Sequence, residues 1–164
     1  MSLKRRSYEA GHSPKFLVVI DDTPECDRAL YYASRRALRI GSGVTMLRVI
    51  EMHDRNQQWL GVADIMRAEA HEEANAALDR AGARASSITG VAPERVIREG
   101  ETAEEVLKLI EEDEDIAVLI LAASAGTEGP GPLVSSLAQS SGTFPVPVAI
   151  VPGHLSDEDL DSMS

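Results

Sequence analysis

Apolar residues gather in short runs separated by stretches of helical periodicity. Residues 16–20 and 116–122 are apolar without alternation, the pattern of strands covered on both faces, and the largely apolar runs 44–50 and 146–151 read as two more strands. Residues 93–98 form a shorter, mixed run that reads as a further strand. Between the runs, Ala29, Ala33, Ala37 and Ile40 recur at helical spacing over 24–40, with Arg28, Arg35, Arg36 and Arg39 on the other faces. Gly41 and Gly43 end that helix. Over 60–85 the stripe is Ala63, Met66, Ala70, Ala74, Ala77, Ala81 and Ala85, with Glu69, Glu72 and Glu73 mostly off it, and it predicts a long helix packed closely on a sheet. Thr102 with Glu105 makes a capping-box pattern opening a helix through 110, and a fourth helix is expected over 133–141.

Strand and helix alternate throughout, which predicts an α/β fold: a doubly wound parallel sheet with helices on both faces and right-handed crossovers. Asp21 and Asp22 follow the first run, so they sit at the carboxyl end of the first strand. Ligands of open parallel sheets bind outside those ends, where strand order reverses. Thr23 is expected to N-cap the first helix, with Pro24 at its first position, where no amide hydrogen is needed. The fourth run leads into AASAGTEGPGP, a small-residue turn. No internal repeat is present.

The chain has 164 residues, 43% of them hydrophobic, enough for one domain with a core. A net charge of -11 disfavours nucleic acid and anionic lipid as partners. The basic end with Lys4, Arg5 and Arg6 is read as solvated. Residues 1–14 read as a polar arm that orders only against a partner, 52–58 as a polar connection ending at Trp59, and 153–164 as an acidic tail, disordered or covering a sheet edge. One cysteine, Cys26, allows no internal disulfide, and no run is long enough to span a bilayer, so a soluble cytoplasmic protein is expected.

Several chemistries find no pattern. His12, His53, His71 and His154 fit no metal-ligand spacing. The serines lack a GxSxG elbow, and neither GxxxxGK[ST] nor a GxGxxG after the first strand is present. No catalytic residue and no metal site is assigned. Asp21 and Asp22 would hold Mg²⁺ only alongside a nucleotide; alone they read as turn and capping residues. Cys26 falls in the first turn of a helix, where the dipole lowers a thiol pKa, although a lone helical cysteine is ordinarily inert.

Three segments, VVIDDTPECDRAL, VIREGETAEEVLKLIEEDEDIAVLILAAS and AASAG with the later FPVPVAIVP, resemble the universal stress protein family over 15–152. The resemblance implies five parallel strands in the order 3-2-1-4-5, a Rossmann-like arrangement, and a homodimer formed through the last strand, 146–151, with Val146 and Val151 at its ends. That strand is also an apolar edge whose backbone a second copy would satisfy. One branch of the family binds ATP, with the aspartate matched by Asp21 near adenine and a glycine loop around ribose and phosphates; another branch lacks the loop.

The nucleotide pattern is a glycine, two residues, a glycine, nine residues, then a glycine with serine or threonine. Ala123 stands at the first position and Gly126 at the second, while the third falls on Ser136, or on Val134 and Ser135 when counted back from the last strand. Pro130 and Pro132 lack amide donors, Glu128 adds negative charge, and Asp22 stands where many members have glycine. The leading expectation is a homodimeric stress-response binding module with a degenerate loop. The alternative is an ATP- or AMP-binding protein with Mg²⁺ and slow ATP hydrolysis, using Asp21, Asp22, Thr23, Gly100, Ala123, Gly126, Ser135 and Ser136. A third reading is a sensor of an uncharged, adenosine-like ligand, because Glu128 penalises a triphosphate most.

Overall fold

A computed structural model describes residues 5–51 and 60–164. Residues 52–59, with His53 and Trp59, lie outside the described residues, as do residues 1–4. Five parallel strands form one sheet in the order β3-β2-β1-β4-β5. They are β1 (Lys15–Val19), β2 (Gly43–Ile50), β3 (Glu94–Glu99), β4 (Ile116–Ala123) and β5 (Val148–Pro152). The helices are α1 (Cys26–Ile40), α2 (Leu60–Thr89), α3 (Thr102–Glu112), α4 (Pro132–Gln139) and α5 (Asp157–Met163).

The unbroken apolar run of β1 is explained by its central place. Phe16, Val18 and Ile20 point into a core shared with α1 and α2, while Leu17 and Val19 point into a second core under α3 and α4. The alanine stripe of α2 joins the core at Ala77, Ala81 and Ala85 and is buried at Ala74, whereas Met66, in the same stripe, stays 44% exposed. Edge strand β3 carries Glu94, Arg95, Arg98 and Glu99, which is why its run reads as mixed. Among the described residues no helix is long and apolar enough to cross a membrane.

Both terminal segments differ from expectation. The arm is fastened to its own chain: Arg5 Nη1 donates to the carbonyls of Ile110 at 2.6 Å and Asp113 at 2.9 Å, the Arg6 amide donates to Glu114 O, and Ser7 is buried. Arg5 thereby serves the Ile110 carbonyl in the last turn of α3 and shares that of Asp113 with the Ile116 amide. The acidic tail is a helix, α5, started by a reciprocal Ser156–Asp159 capping box and packed on α1 rather than on a sheet edge. Leu160, 1% exposed, and Leu155 suffice to seat it.

Candidate functional site

The parallel register that pairs Val19 with Leu47 sets Arg48 beside the end of β1. Its Nη1 donates to Ile20 O at 3.2 Å and Asp22 Oδ1 at 3.1 Å, and its Nη2 donates to Asp22 Oδ2 at 3.1 Å. Hydrogen bonding to Arg48 holds the Asp22 carboxyl below its ordinary range. Asp21 turns the other way, and its Oδ1 accepts from both the amide and the hydroxyl of Thr23. The first helix consequently starts later than expected. Thr23 gives its hydroxyl proton to Asp21 instead of accepting at a helix start, Pro24 sits in the turn, and Glu25 occupies the N-cap without a side-chain bond.

A second rearrangement occurs after β3. Gly100 adopts φ 152°, and a Cβ there would lie 2.7 Å from Glu105 Oε2, so this turn needs glycine. Glu101, not Thr102, then caps α3, accepting from the amides of Ala103 at 3.3 Å and Glu104 at 2.9 Å. The Thr102 amide donates instead to Glu51 Oε1 at 3.0 Å, which ties the end of β2 to the start of α3. Glu105 is turned toward Lys108, leaving the expected Thr102–Glu105 box unformed.

These turns border a cleft of about 360 Å³ at the carboxyl ends of β1 and β2. Val19, Ile20, Val49 and Leu133 give it an apolar floor, and Asp21, Asp22, Arg48, Glu51, Glu101, Thr102 and Ser136 give it a polar rim. A smaller hollow beside it joins Asp21, Thr23 and Cys26 to Pro130, Gly131 and Val134, so the first carboxylates and the late turn share one rim of the sheet. On the far side of Asp21 and Asp22 a further hollow of about 370 Å³ contains Asp27, Arg80 and Arg84.

Of the residues singled out from sequence, Asp21, Asp22 and Ser136 line the cleft, and Thr23 lines the adjoining hollow. Gly100 shapes the turn behind Glu101 and Thr102. Gly126 and Ser135 are exposed and line neither hollow; the Gly126 amide donates to Ser124 Oγ, and the Ser135 amide to Gly131 O. Ala123 faces the chain leaving β5, its carbonyl lying where a Cβ on Gly153 would stand.

Sequence reasoning passed over Arg48, Glu51, Glu101 and Leu133. Arg48 had a signal, since a guanidinium inside the otherwise apolar run VTMLRVI needs a local acid. Cys26 fits the inert reading rather than the reactive one: burial pushes its thiol up to about 11. Among the described residues, no group of three or more His, Cys, Asp or Glu side chains is arranged to hold a metal ion.

The fold has counterparts among solved structures. The universal stress protein UspA from Lactobacillus plantarum matches with a TM-score of 0.68 and 15% identity, over 84% of this chain and 97% of that one. A universal stress protein in complex with cAMP matches with a TM-score of 0.60 and 16% identity, over 85% and 97% of the two chains. The universal stress protein from Archaeoglobus fulgidus in complex with dAMP matches with a TM-score of 0.59 and 17% identity, over 84% and 97%. These likenesses bear on the fold. No curated protein sequence matches the chain. The sequence model described as "Universal stress protein family" matches residues 13–152, most of the chain. On that match, and with its sheet in the order 3-2-1-4-5, the chain belongs to the universal stress protein family.

Proposed function

We propose that this chain is a homodimeric regulatory binding module whose cleft takes an adenine nucleoside or nucleoside monophosphate, with ATP turnover slow at most. One observation carries the reading: the cleft rim holds four carboxylates, and Arg48, the cation among its lining residues, is already clasped by Asp22. An apolar floor suits the faces of a base, and carboxylates suit its amine and the ribose hydroxyls. A triphosphate finds little to hold it. In the late turn the amides of Ser124 and Gly126 are committed to internal bonds, Pro130 and Pro132 have none, and Glu128 is exposed there.

Mg²⁺–ATP is therefore a poor match to the residues present, and the loop is read as degenerate for that ligand. The relatives crystallised with cAMP and dAMP hold ligands with a single phosphate, which supports a monophosphate here. Asp21, Asp22, Thr23 and Ser136 are the residues assigned to base and ribose, with Gly100 holding the turn that brings in Thr102. Calorimetry with adenosine, AMP and Mg²⁺–ATP tests the assignment. Adenosine and AMP should bind at least tenfold, about 1.4 kcal/mol, more tightly than ATP. ATP binding as tightly as AMP would sink it.

The homodimer is proposed at β5. Edge strand β3 is guarded by charges, whereas β5 presents VAIVP with Ile150 47% exposed.

A further inference from the structure

A cluster of arginines gathers on one face of this acidic chain. The Arg84 and Arg28 guanidiniums lie over the Tyr31 ring, 4.9 and 5.5 Å from its centroid. Arg35 and Arg39 extend the same face along α1, and α5 lies across it. Asp157 meets Arg28 Nη2 at 2.6 Å and Arg84 Nη2 at 3.4 Å. Tyr31 OH donates to Asp161 Oδ1 at 2.7 Å, Arg35 Nε pairs with the same carboxylate at 2.9 Å, and Arg39 Nη2 donates to Asp161 O. Between the two aspartates Leu160 is buried.

We infer that this face of α1 and α2 is a docking surface for an acidic amphipathic helix of a partner protein, and that α5 occupies it in cis as a releasable plug. The partner is defined by what the plug shows to fit: a leucine with one carboxylate three residues before it and another directly after. Arginine and tyrosine are residue types that dominate affinity at interfaces, and here Arg28, Arg84 and Tyr31 lie on the face against which α5 packs with Leu160 buried.

The hold of the plug is of a kind that yields. Its carboxylates remain 48% exposed at Asp157 and 38% at Asp161, so their pairing is weakened by salt. A helix of seven residues has little stability away from its seat. Closure is favoured instead by the short tether from Pro152, which gives α5 an effective concentration on the order of millimolar. An outside helix therefore gains access when the tethered one is loosened, and its apparent affinity falls by the fraction of time the slot is open.

The test uses the full chain and a fluorescein-labelled peptide with the sequence of residues 154–164, read by anisotropy. Leu160→Asp, which places a charge in the leucine slot, should make the chain bind the peptide at least tenfold more tightly than the unmodified chain does. Adding Arg84→Glu to that variant should abolish binding, and about 0.5 M NaCl should weaken it about tenfold. A milder double variant, Asp157→Ser with Asp161→Asn, keeps the leucine and covers the case in which Leu160→Asp does not fold. It should raise amide exchange at Leu160 and Ser164 about tenfold and increase peptide capture. Folded variants that capture no more peptide than the unmodified chain would overturn the inference. So would equal binding of a peptide with lysine in place of Asp157 and Asp161.

Discussion

Arg48 and Asp22 meet tooth for tooth across the ends of β1 and β2, Nη1 on Oδ1 and Nη2 on Oδ2, both at 3.1 Å. The arginine side chain is 13% exposed and the aspartate 80%, so the cation is held inside and its charge is answered from the solvent side. A phosphate entering the cleft, as proposed above, would compete with Asp22 for Arg48.

Asp22→Asn should therefore free the guanidinium. Calorimetry is expected to show AMP gaining about tenfold in affinity relative to adenosine, about 1.4 kcal/mol. An unchanged ratio would mean that the phosphate lies elsewhere. Stability should move little. Arg48 depresses the Asp22 pKa, so the pair stabilises the fold above the unfolded carboxylate value and loses that contribution as pH falls through the folded value. With so exposed a partner the contribution at neutral pH is below about 1 kcal/mol.

Asp21 does two jobs that substitution can separate. Asp21→Ala removes the acceptor of the Thr23 amide and hydroxyl and should cost about 1 kcal/mol in chemical denaturation. Asp21→Asn keeps an oxygen for Thr23 but removes the charge. If the carboxylate holds the amine or ribose, both variants lose at least tenfold in adenosine affinity; if only the turn matters, Asn binds normally.

Cys26 should resist alkylation by iodoacetamide at pH 8 until the chain unfolds, because burial raises its pKa to about 11 and leaves little thiolate. Since the folded value lies above the ordinary 9.0, the unfolded chain releases its proton first as pH rises. Stability should fall between those two values and not on the acid side. Rapid labelling of folded protein would contradict the raised pKa of this half-buried thiol.

The sheet was legible because β1 and β4 are covered on both faces, and burial of that kind writes an uninterrupted apolar run into the chain. The position of Asp21 followed from the end of the first run. What stayed hidden depended on partners distant in sequence. Arg48 finds Asp22 only once β1 and β2 are in register, and Thr102 finds Glu51 only once α3 is placed beside β2. Both helix starts were misread for a local reason: a carboxylate next to a threonine can take its hydroxyl or its capping place, as Asp21 does with Thr23 and Glu101 does ahead of Thr102. The tail read as disordered or covering a sheet edge because its composition is acidic, and composition does not reveal a leucine with a prepared seat.

Gly153→Ala probes the joint between the site and the tail. A Cβ there would meet the carbonyl of Ala123, the Glu25 Cβ and, at 3.3 Å, the Ala125 amide nitrogen. Backbone of the late turn on one side and the Glu25 Cβ leave little room for the methyl. Overpacking of this sort costs about 1–3 kcal/mol, read as a lowered Tm. An unshifted Tm would show that the late turn moves aside freely.

Ile150 decides the assembly question. In β5 each backbone group not bonded to β4 faces outward, and Leu119–Ala123 supply the inner partners for Val148–Pro152. An uncharged edge with an isoleucine 47% exposed is a template for another strand, and pairing with its own copy is the arrangement that closes by symmetry. Light scattering on the eluting peak should report twice the chain mass at micromolar concentration. In the proposed dimer Ile150→Lys would bring two ammonium groups toward each other across the two-fold axis and set a desolvation cost against the pairing. The variant should elute as a monomer with an unchanged sheet signature in circular dichroism. The same lysine at Val91, 69% exposed and away from β5, should leave the dimer intact. A dimer that survives Ile150→Lys but dissociates with the Val91 change would move the interface off this edge.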